Sequence, residues 1–292
     1  MKKLRLFFFL CPLLLAGCGN QAQDGRILVY ASCYPVYDLV KRVAGDNVNV
    51  QCLVSQGEPH EYHPSAKDIA NMSDAKAIFL NGYGMESWYD FINTDFPSKE
   101  AEAIKANSRF LSDGIATLKI DDITDPHLWL DPTKAIQMME NAAKSLTQID
   151  QEHASQYAEN LQKATASFVA LDQKAKTSLE NLSNRYLVTS HAAFGYFAAR
   201  YNLTQVTLNG ISPEDSPSPK EVEEVIATIQ KYNVKTIYGE EMVSDAILSS
   251  IKEATGATMK ELYTIESRPE EGELDYIAMF ESNIMTIQEG NR

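Results

Sequence analysis

QEHASQYAENLQKATASFVALDQKAKTSLENL, residues 151–182, runs uninterrupted by proline or glycine. Its apolar positions Tyr157, Leu161, Ala164, Phe168, Leu171, Ala175 and Leu179 step by three or four, which marks one face of an α-helix. A helix of about thirty residues spans roughly 45 Å, enough to run the length of a two-lobed molecule. The preceding stretch, PTKAIQMMENAAKSLTQID (132–150), has the same Ala, Gln, Lys, Glu and Leu character. No strand signal interrupts residues 132–184, which are read as connecting helices.

Strands and helices alternate on either side. Upstream, RILVYAS, VNVQCLV and KAIFLNG read as strands, separated by the helical YPVYDLVKRVAG and PSAKDIANMSDA and followed by MESWYDFINT. Ser65 is placed to cap the second helix, with Asp68 three residues on. Downstream, RYLVTS, LTQVTLNG, VKTIYGE and TMKELYTI read as strands between the helices AAFGYFAARYN, KEVEEVIATIQKYN and VSDAILSSIKEATG, with YIAMFESNIMTIQEG last and SPEDSPSP a turn-rich loop. Such alternation implies parallel sheets with helices on their faces. The fold class expected is α/β: two lobes (26–131 and 185–292) with parallel sheets flanked by helices, joined by one long rigid α-helix.

The first residues are not part of that fold. MKKLRLFFFLCPLLLAGC begins with Lys2, Lys3 and Arg5 and continues apolar to Gly17. The apolar run is shorter than the ~20 residues of a spanning helix and reads as a secretory signal, residues 1–17. Leu15-Ala16-Gly17-Cys18 resembles a bacterial lipobox, which would make Cys18 a lipidated first residue, with 18–25 a tether. Two acyl chains would anchor it stably. The expected location is the outer face of the cell membrane.

Loss of residues 1–17 leaves 23 basic residues against 40 acids, about −17 with histidine neutral. That charge argues against nucleic acid as a partner and against a polybasic membrane surface. Of the four cysteines, Cys33 and Cys52 remain in the folded part. Outside the membrane they could form a disulfide or stay free as small buried hydrophobes. No CxxC spacing suggests a cysteine zinc site.

The chain has only five histidines. His60 follows the second strand in GEPHEYHPS (57–65). His127 lies in DPHLWLDP (125–132), and His191 follows the YLVTS strand. Ligands in open α/β sheets collect outside the carboxyl ends of the strands, so these three could meet in one cleft. His153 sits in a polar helix start and reads as solvated; His63 reads as a rim residue. Zinc ordinarily takes four ligands in a tetrahedron. Glu266 and, as rivals, Glu240 and Glu241 also follow strands, and spacing separates them little.

GEPHEYHPSAKDIANMSDAKAIFLNG, DPHLWLDP, SHAAFGYFAARYNL and YTIESRPEEGELDYIAMFESNI, taken in order, resemble the signature regions of the metal-binding lipoproteins of ABC importers, and within them the zinc branch. The resemblance covers essentially the whole mature chain. It implies two α/β lobes, a rigid connecting helix and one metal between the lobes, with ligands His60, His127, His191 and Glu266. It also implies a permease as membrane partner. In the manganese branch the position of His191 is typically a carboxylate; imidazole suits zinc and oxygen ligands suit manganese, so Zn²⁺ is expected. SDGIATLKIDDITDPHLW (112–129) lacks the His-rich loop that many zinc-branch members carry. A monomer is expected.

Two alternatives frame that reading. One is a carrier of manganese or another divalent metal within the same family. The other is a zinc hydrolase with water as fourth ligand, but no HExxH is present and Glu61, beside His60, is the best available base. Surface adhesion, proposed for related lipoproteins, has no specifying motif here.

Overall fold

A computed structural model describes residues 25–94, 98–120, 122–211, 217–240, 246–268 and 274–292. The signal sequence, Cys18, most of the tether, much of the SPEDSPSP loop and Glu241 lie outside these residues. Among the described residues no helix is long and apolar enough to cross a membrane.

In the first lobe β1 (Ile27–Cys33), α1 (Tyr34–Ala44), β2 (Val48–Val54), α2 (Ala66–Ser73), β3 (Ala77–Leu80), α3 (Ser87–Thr94), α4 (Lys99–Asn107) and β4 (Ser108–Phe110) follow one another. The strands form a parallel sheet in the order β2-β1-β3-β4. Local chemistry explains the helix starts. Ser65 accepts from the Asp68 amide while Asp68 accepts from the Ser65 amide, a reciprocal cap that satisfies two orphan donors. α1 has Pro35 in its first turn, buries Val36, Leu39, Val40 and Val43, and stops at Gly45.

The short antiparallel pair β5 (Lys119–Ile120) and β6 (Ile123–Thr124) leads into a 3₁₀ turn, Leu128–Leu130. Then come α5 (Pro132–Ile149) and α6 (Ala154–Leu179). The second lobe contains β7 (Tyr186–Thr189), α7 (Gly195–Arg200), β8 (Thr204–Thr207), α8 (Pro219–Lys231), β9 (Thr236–Glu240), α9 (Ala246–Thr255), β10 (Thr258–Leu262) and α10 (Tyr276–Gly290). Its parallel sheet has the order β10-β9-β7-β8. In each sheet the chain starts in the middle, adds a strand on one side and then crosses to the other. Each sheet therefore has a switch point where side chains from neighbouring strand ends can converge.

α6 buries Tyr157, Ala164, Phe168, Leu171, Ala175 and Leu179, with Leu161 packed at the margin. It packs on α5 and α1 on one side and on α10 on the other, so one core runs through both lobes. The helix has 26 residues, roughly 39 Å. It begins later than the sequence pattern suggests because Asp150 organises the turn before it. That carboxylate accepts from Tyr157 Oη at 2.5 Å and meets His153 Nδ1 at 2.8 Å. His153 thus sits at the surface of the helix start with its ring tied to Asp150.

Charged groups fix the helices to one another. Asp172 of α6 receives Arg200 Nε at 2.6 Å, Arg200 Nη2 at 2.8 Å and Tyr201 Oη at 3.1 Å. Arg200 Nε is also 3.3 Å from Asp131, which caps α5. Burial would raise the Asp172 carboxyl; these donors and Lys176 outweigh it and hold it at about 2. On α1, Arg42 pairs with Asp38 and lies over the rings of Phe168 and Tyr276, 5.6 and 6.0 Å from their centroids.

The disulfide allowed by the sequence does not form: Cys33 and Cys52 are both free thiols. Cys33 is in register with Val54 and Cys52 with Ala31, so the two are diagonal neighbours. A strand spacing near 4.8 Å and a two-residue offset put their Cα atoms roughly 8 Å apart, beyond the reach of a disulfide. Burial pushes Cys33 well up and Cys52 to about 12, so both stay protonated.

Candidate metal centre

Four strand-end segments deliver four side chains to one point. His60 comes from the loop after β2, His127 from the turn after β6, His191 directly after β7, and Glu266 from the loop after β10. All are buried, and one potential ligand atom from each lies within 4.8 Å of the others. Glu266 Oε1 is 3.6 Å from His60 Nε2, 3.3 Å from His127 Nε2 and 3.8 Å from His191 Nε2. Ligands about 2.0–2.1 Å from a tetrahedral ion lie about 3.3–3.4 Å apart; the Glu266–His127 separation already matches this, and the others are somewhat wider. The same four atoms are buried without a hydrogen-bond partner. Unpaired buried polar atoms are costly, and these four converge as a group that could hold a cation.

Carboxylates behind the rings set their orientation. Asp125 Oδ1 accepts from the His127 amide at 2.9 Å and lies 2.8 Å from His127 Nδ1. Glu240 Oε1 accepts from the His191 amide at 3.2 Å, and Glu240 Oε2 meets His191 Nδ1. A neutral imidazole held this way carries its proton on Nδ1 and turns the Nε2 lone pair to the metal. The carbonyl of His60 accepts from Ser87 Oγ at 3.1 Å, and its amide donates to Glu58 Oε1 at 3.0 Å.

Glu266 is mounted on a turn stapled to the first lobe. Trp129 Nε1 donates to Thr264 O at 2.8 Å, the Arg268 amide to Ser55 O at 2.7 Å, and Ser267 Oγ to Gly57 O at 3.2 Å. The preceding residue, Ile265, has φ +63°, a conformation that a β-branched residue rarely adopts. Thr264 Oγ1 donates to Glu266 Oε2 at 3.3 Å, leaving Oε1 for the cage.

The charges are mutually matched. Burial would lower His191, but Glu240 and then Glu266 outweigh it and raise the imidazolium to about 10. His127 is raised by Asp125 and Glu266 against the same opposition from burial. Burial would raise Glu266; the three histidines instead hold it well below the usual carboxylate range.

His63 and Glu61 are exposed and outside the cage. Glu240 is at the centre, but as the partner of His191 rather than as a member of the ligand group. The sequence reading missed Asp125 and Tyr196, whose hydroxyl donates to Asp125 O at 2.7 Å. It also missed Gly195, where a Cβ would sit 2.6 Å from Asp125 Oδ2. The only available signal was the position of Asp125 two residues before His127. Gly195→Ala is expected to push Asp125 off the ring and weaken metal binding about 10-fold, the lower end of the usual effect of losing such a partner. A chelator-competition titration measures this, and unchanged affinity would show that the ring does not depend on Asp125.

The model of the family described as "Zinc-uptake complex component A periplasmic" matches residues 29–290. The zinc-binding lipoprotein AdcA of Streptococcus pneumoniae is 34% identical over 99% of this chain, which spans 61% of that relative's length. The high-affinity zinc uptake system protein ZnuA of Bacillus subtilis is 29% identical, covering 96% of this chain and 94% of the relative. Among solved structures, a Zn(II)-bound mutant variant of AdcAII of Streptococcus pneumoniae superposes with a TM-score of 0.83 at 30% identity, covering 91% of this chain and 99% of the other. A match that extends from the first strand to the end of the last helix, and so carries all four cage residues within it, makes this chain a member of the zinc-uptake complex component A family.

Proposed function

We propose that the protein captures Zn²⁺ on the outer side of the cell membrane and delivers it to the permease of an ABC importer. His60, His127, His191 and Glu266 are the zinc ligands, a lipid on Cys18 is the anchor, and the protein acts as a monomer. The observation that carries this is the set of four buried, unpartnered ligand atoms within 4.8 Å of one another. Three nitrogens and one oxygen favour zinc over manganese. The relatives named for zinc binding and zinc uptake support the same cargo. A fully protein-filled tetrahedron holds a metal without activating water, which suits a carrier rather than a hydrolase. In cells lacking the gene and grown with a zinc chelator, the full chain should restore zinc accumulation. A chain without Cys18 should restore it poorly. Equal accumulation with and without the gene would refute the reading.

The electrostatics give the pH dependence. In the metal-free protein His191 remains protonated until about pH 10, so zinc must displace its proton at neutral pH. Zinc affinity should therefore rise at least about tenfold per pH unit between about pH 6 and 8. The sign for stability is opposite in the two states. A histidine raised from 6.5 stabilises the metal-free fold fully below 6.5 and progressively less as pH climbs towards 10. Zinc binding strengthens over the same range. The rise in Tm on adding zinc should thus be larger at about pH 8 than at about pH 6, and a pH-independent rise would contradict the protonation scheme.

A further inference from the structure

The loop between β3 and α3, taken with Ser87 at the start of α3, supplies no ligand, yet it holds both ligand segments of the first lobe. Ser87 Oγ donates to the carbonyl of His60 at 3.1 Å. Asn81 Nδ2 donates at 2.9 Å to the carbonyl of Pro126, the residue before His127. The His60 and His127 rings lie 5.3 Å apart between centroids, with the loop's hydrogen bonds reaching the backbone of both segments.

The loop is itself pinned from within. Glu86, 6% exposed, accepts from Ser32 Oγ at 2.6 Å, from the Asn81 amide at 2.7 Å and from the Gly82 amide at 2.9 Å. One buried carboxylate therefore ties the loop to the end of β1 and fixes the backbone that carries Asn81. Gly82 has φ +94°, and a Cβ there would lie 2.4 Å from Ser112 Oγ. Gly84 and Tyr83 also have positive φ, +83° and +55°. Consecutive left-handed residues are costly for any side chain but glycine, so this backbone path persists because the surrounding bonds impose it.

Folding alone does not account for Asn81. It is completely buried, and its Oδ1 has no hydrogen-bond partner, where an apolar side chain of similar size would leave nothing unpaired. The two carbonyls it serves have other donors: the Leu128 amide reaches Pro126 O at 2.8 Å, and the Met85 amide reaches Gly82 O at 3.3 Å. What Asn81 adds is a link between the β3 end and the His127 segment.

We infer that Asn81 and Glu86 are positioning residues of the zinc site, acting through the 81–87 loop to fix the separation and tilt of His60 and His127. The inference rests on the zinc-carrier reading above. Asn81→Leu keeps the number and branching of the side-chain heavy atoms, with bulkier methyl groups, and removes an unpaired acceptor together with the link. Glu86→Gln keeps the shape but sets an amide NH₂ against one of the backbone N–H donors. Each should weaken zinc binding about 10-fold, the scale on which outer partners of metal ligands act.

The test uses the lipid-free chain from residue 19. It combines zinc affinity by chelator competition, the visible spectrum of the cobalt(II)-loaded protein and the Tm of the metal-free protein. Asn291→Ala serves as a control in a buried polar cluster that contains none of the cage residues or their carboxylate partners, where Asn291 bonds Tyr238 Oη and the carbonyls of Asn184 and Tyr186. The expected result is about 10-fold weaker zinc binding and an altered cobalt spectrum in both variants, with the metal-free Tm of Asn81→Leu retained and the control unchanged in affinity and spectrum. Unaltered affinity and spectrum in either folded variant would overturn the role of that residue. A loss of affinity that merely follows a loss of Tm, and that Asn291→Ala reproduces, would overturn it for both. Absence of zinc binding by the unsubstituted chain would instead remove the zinc reading on which the inference stands.

Discussion

Alanine in place of His191 is expected to weaken zinc binding by more than about 100-fold, beyond the roughly 10–100-fold that follows loss of an outer partner. His191 supplies one of four donors in a cage with no solvent-exposed face of its own: the residue is completely buried. Its loss would remove one of the proposed metal bonds and strand Glu240, a carboxylate 3% exposed that would keep none of its imidazole contact. Breaking a buried ion pair by deleting one partner costs about 3–5 kcal/mol, so the metal-free Tm should fall as well. Chelator competition and thermal melts read the two effects separately. An affinity within tenfold of the unsubstituted protein would mean that His191 is not a ligand.

Glu240→Gln should cost zinc affinity about 10–100-fold although it touches no metal. The amide can present an NH₂ to His191 Nδ1, which then acts as acceptor and moves the ring proton to Nε2, the atom facing the cage. The carboxylate that chiefly raises His191 would also be gone. The variant should therefore bind zinc weakly and with a flatter pH dependence than the unsubstituted chain. Weak binding with an unchanged pH slope would show that Glu240 acts only by packing.

Much of the architecture is legible in the chain because its elements are locally consistent. The apolar stripe of residues 157–179 is the buried face of α6, and YIAMFESNIMTIQEG is α10. VNVQCLV is β2, an edge strand that pairs in parallel with β1. The elements that escaped are short or weakly patterned. α4 is nine residues long and rests on a Ser98 cap, β4 is three residues, and β5 and β6 are two each. Elements of that length take their stability from neighbours rather than from sequence periodicity.

The site divides in the same way. Three histidines at or near strand ends suggested a cleft because strand ends in parallel sheets face one crevice. Spacing set Glu266 only slightly above Glu241, which lies outside the described residues; the choice depended on the family resemblance, and in the structure the other rival, Glu240, stands behind His191 while Glu266 joins the group. The link from Asp125 to Gly195 crosses between lobes seventy residues apart in the chain, and no local pattern encodes such a contact. The same holds for the staples from Arg268 and Ser267 to Ser55 and Gly57.

The most direct test is the metal content of residues 19–292 after dialysis against equal zinc and manganese, read by elemental mass spectrometry. The expected result is one zinc per chain and no retained manganese. Manganese in place of zinc, or no bound metal at all, would contradict the assignment of His60, His127, His191 and Glu266 as a zinc-carrying cage.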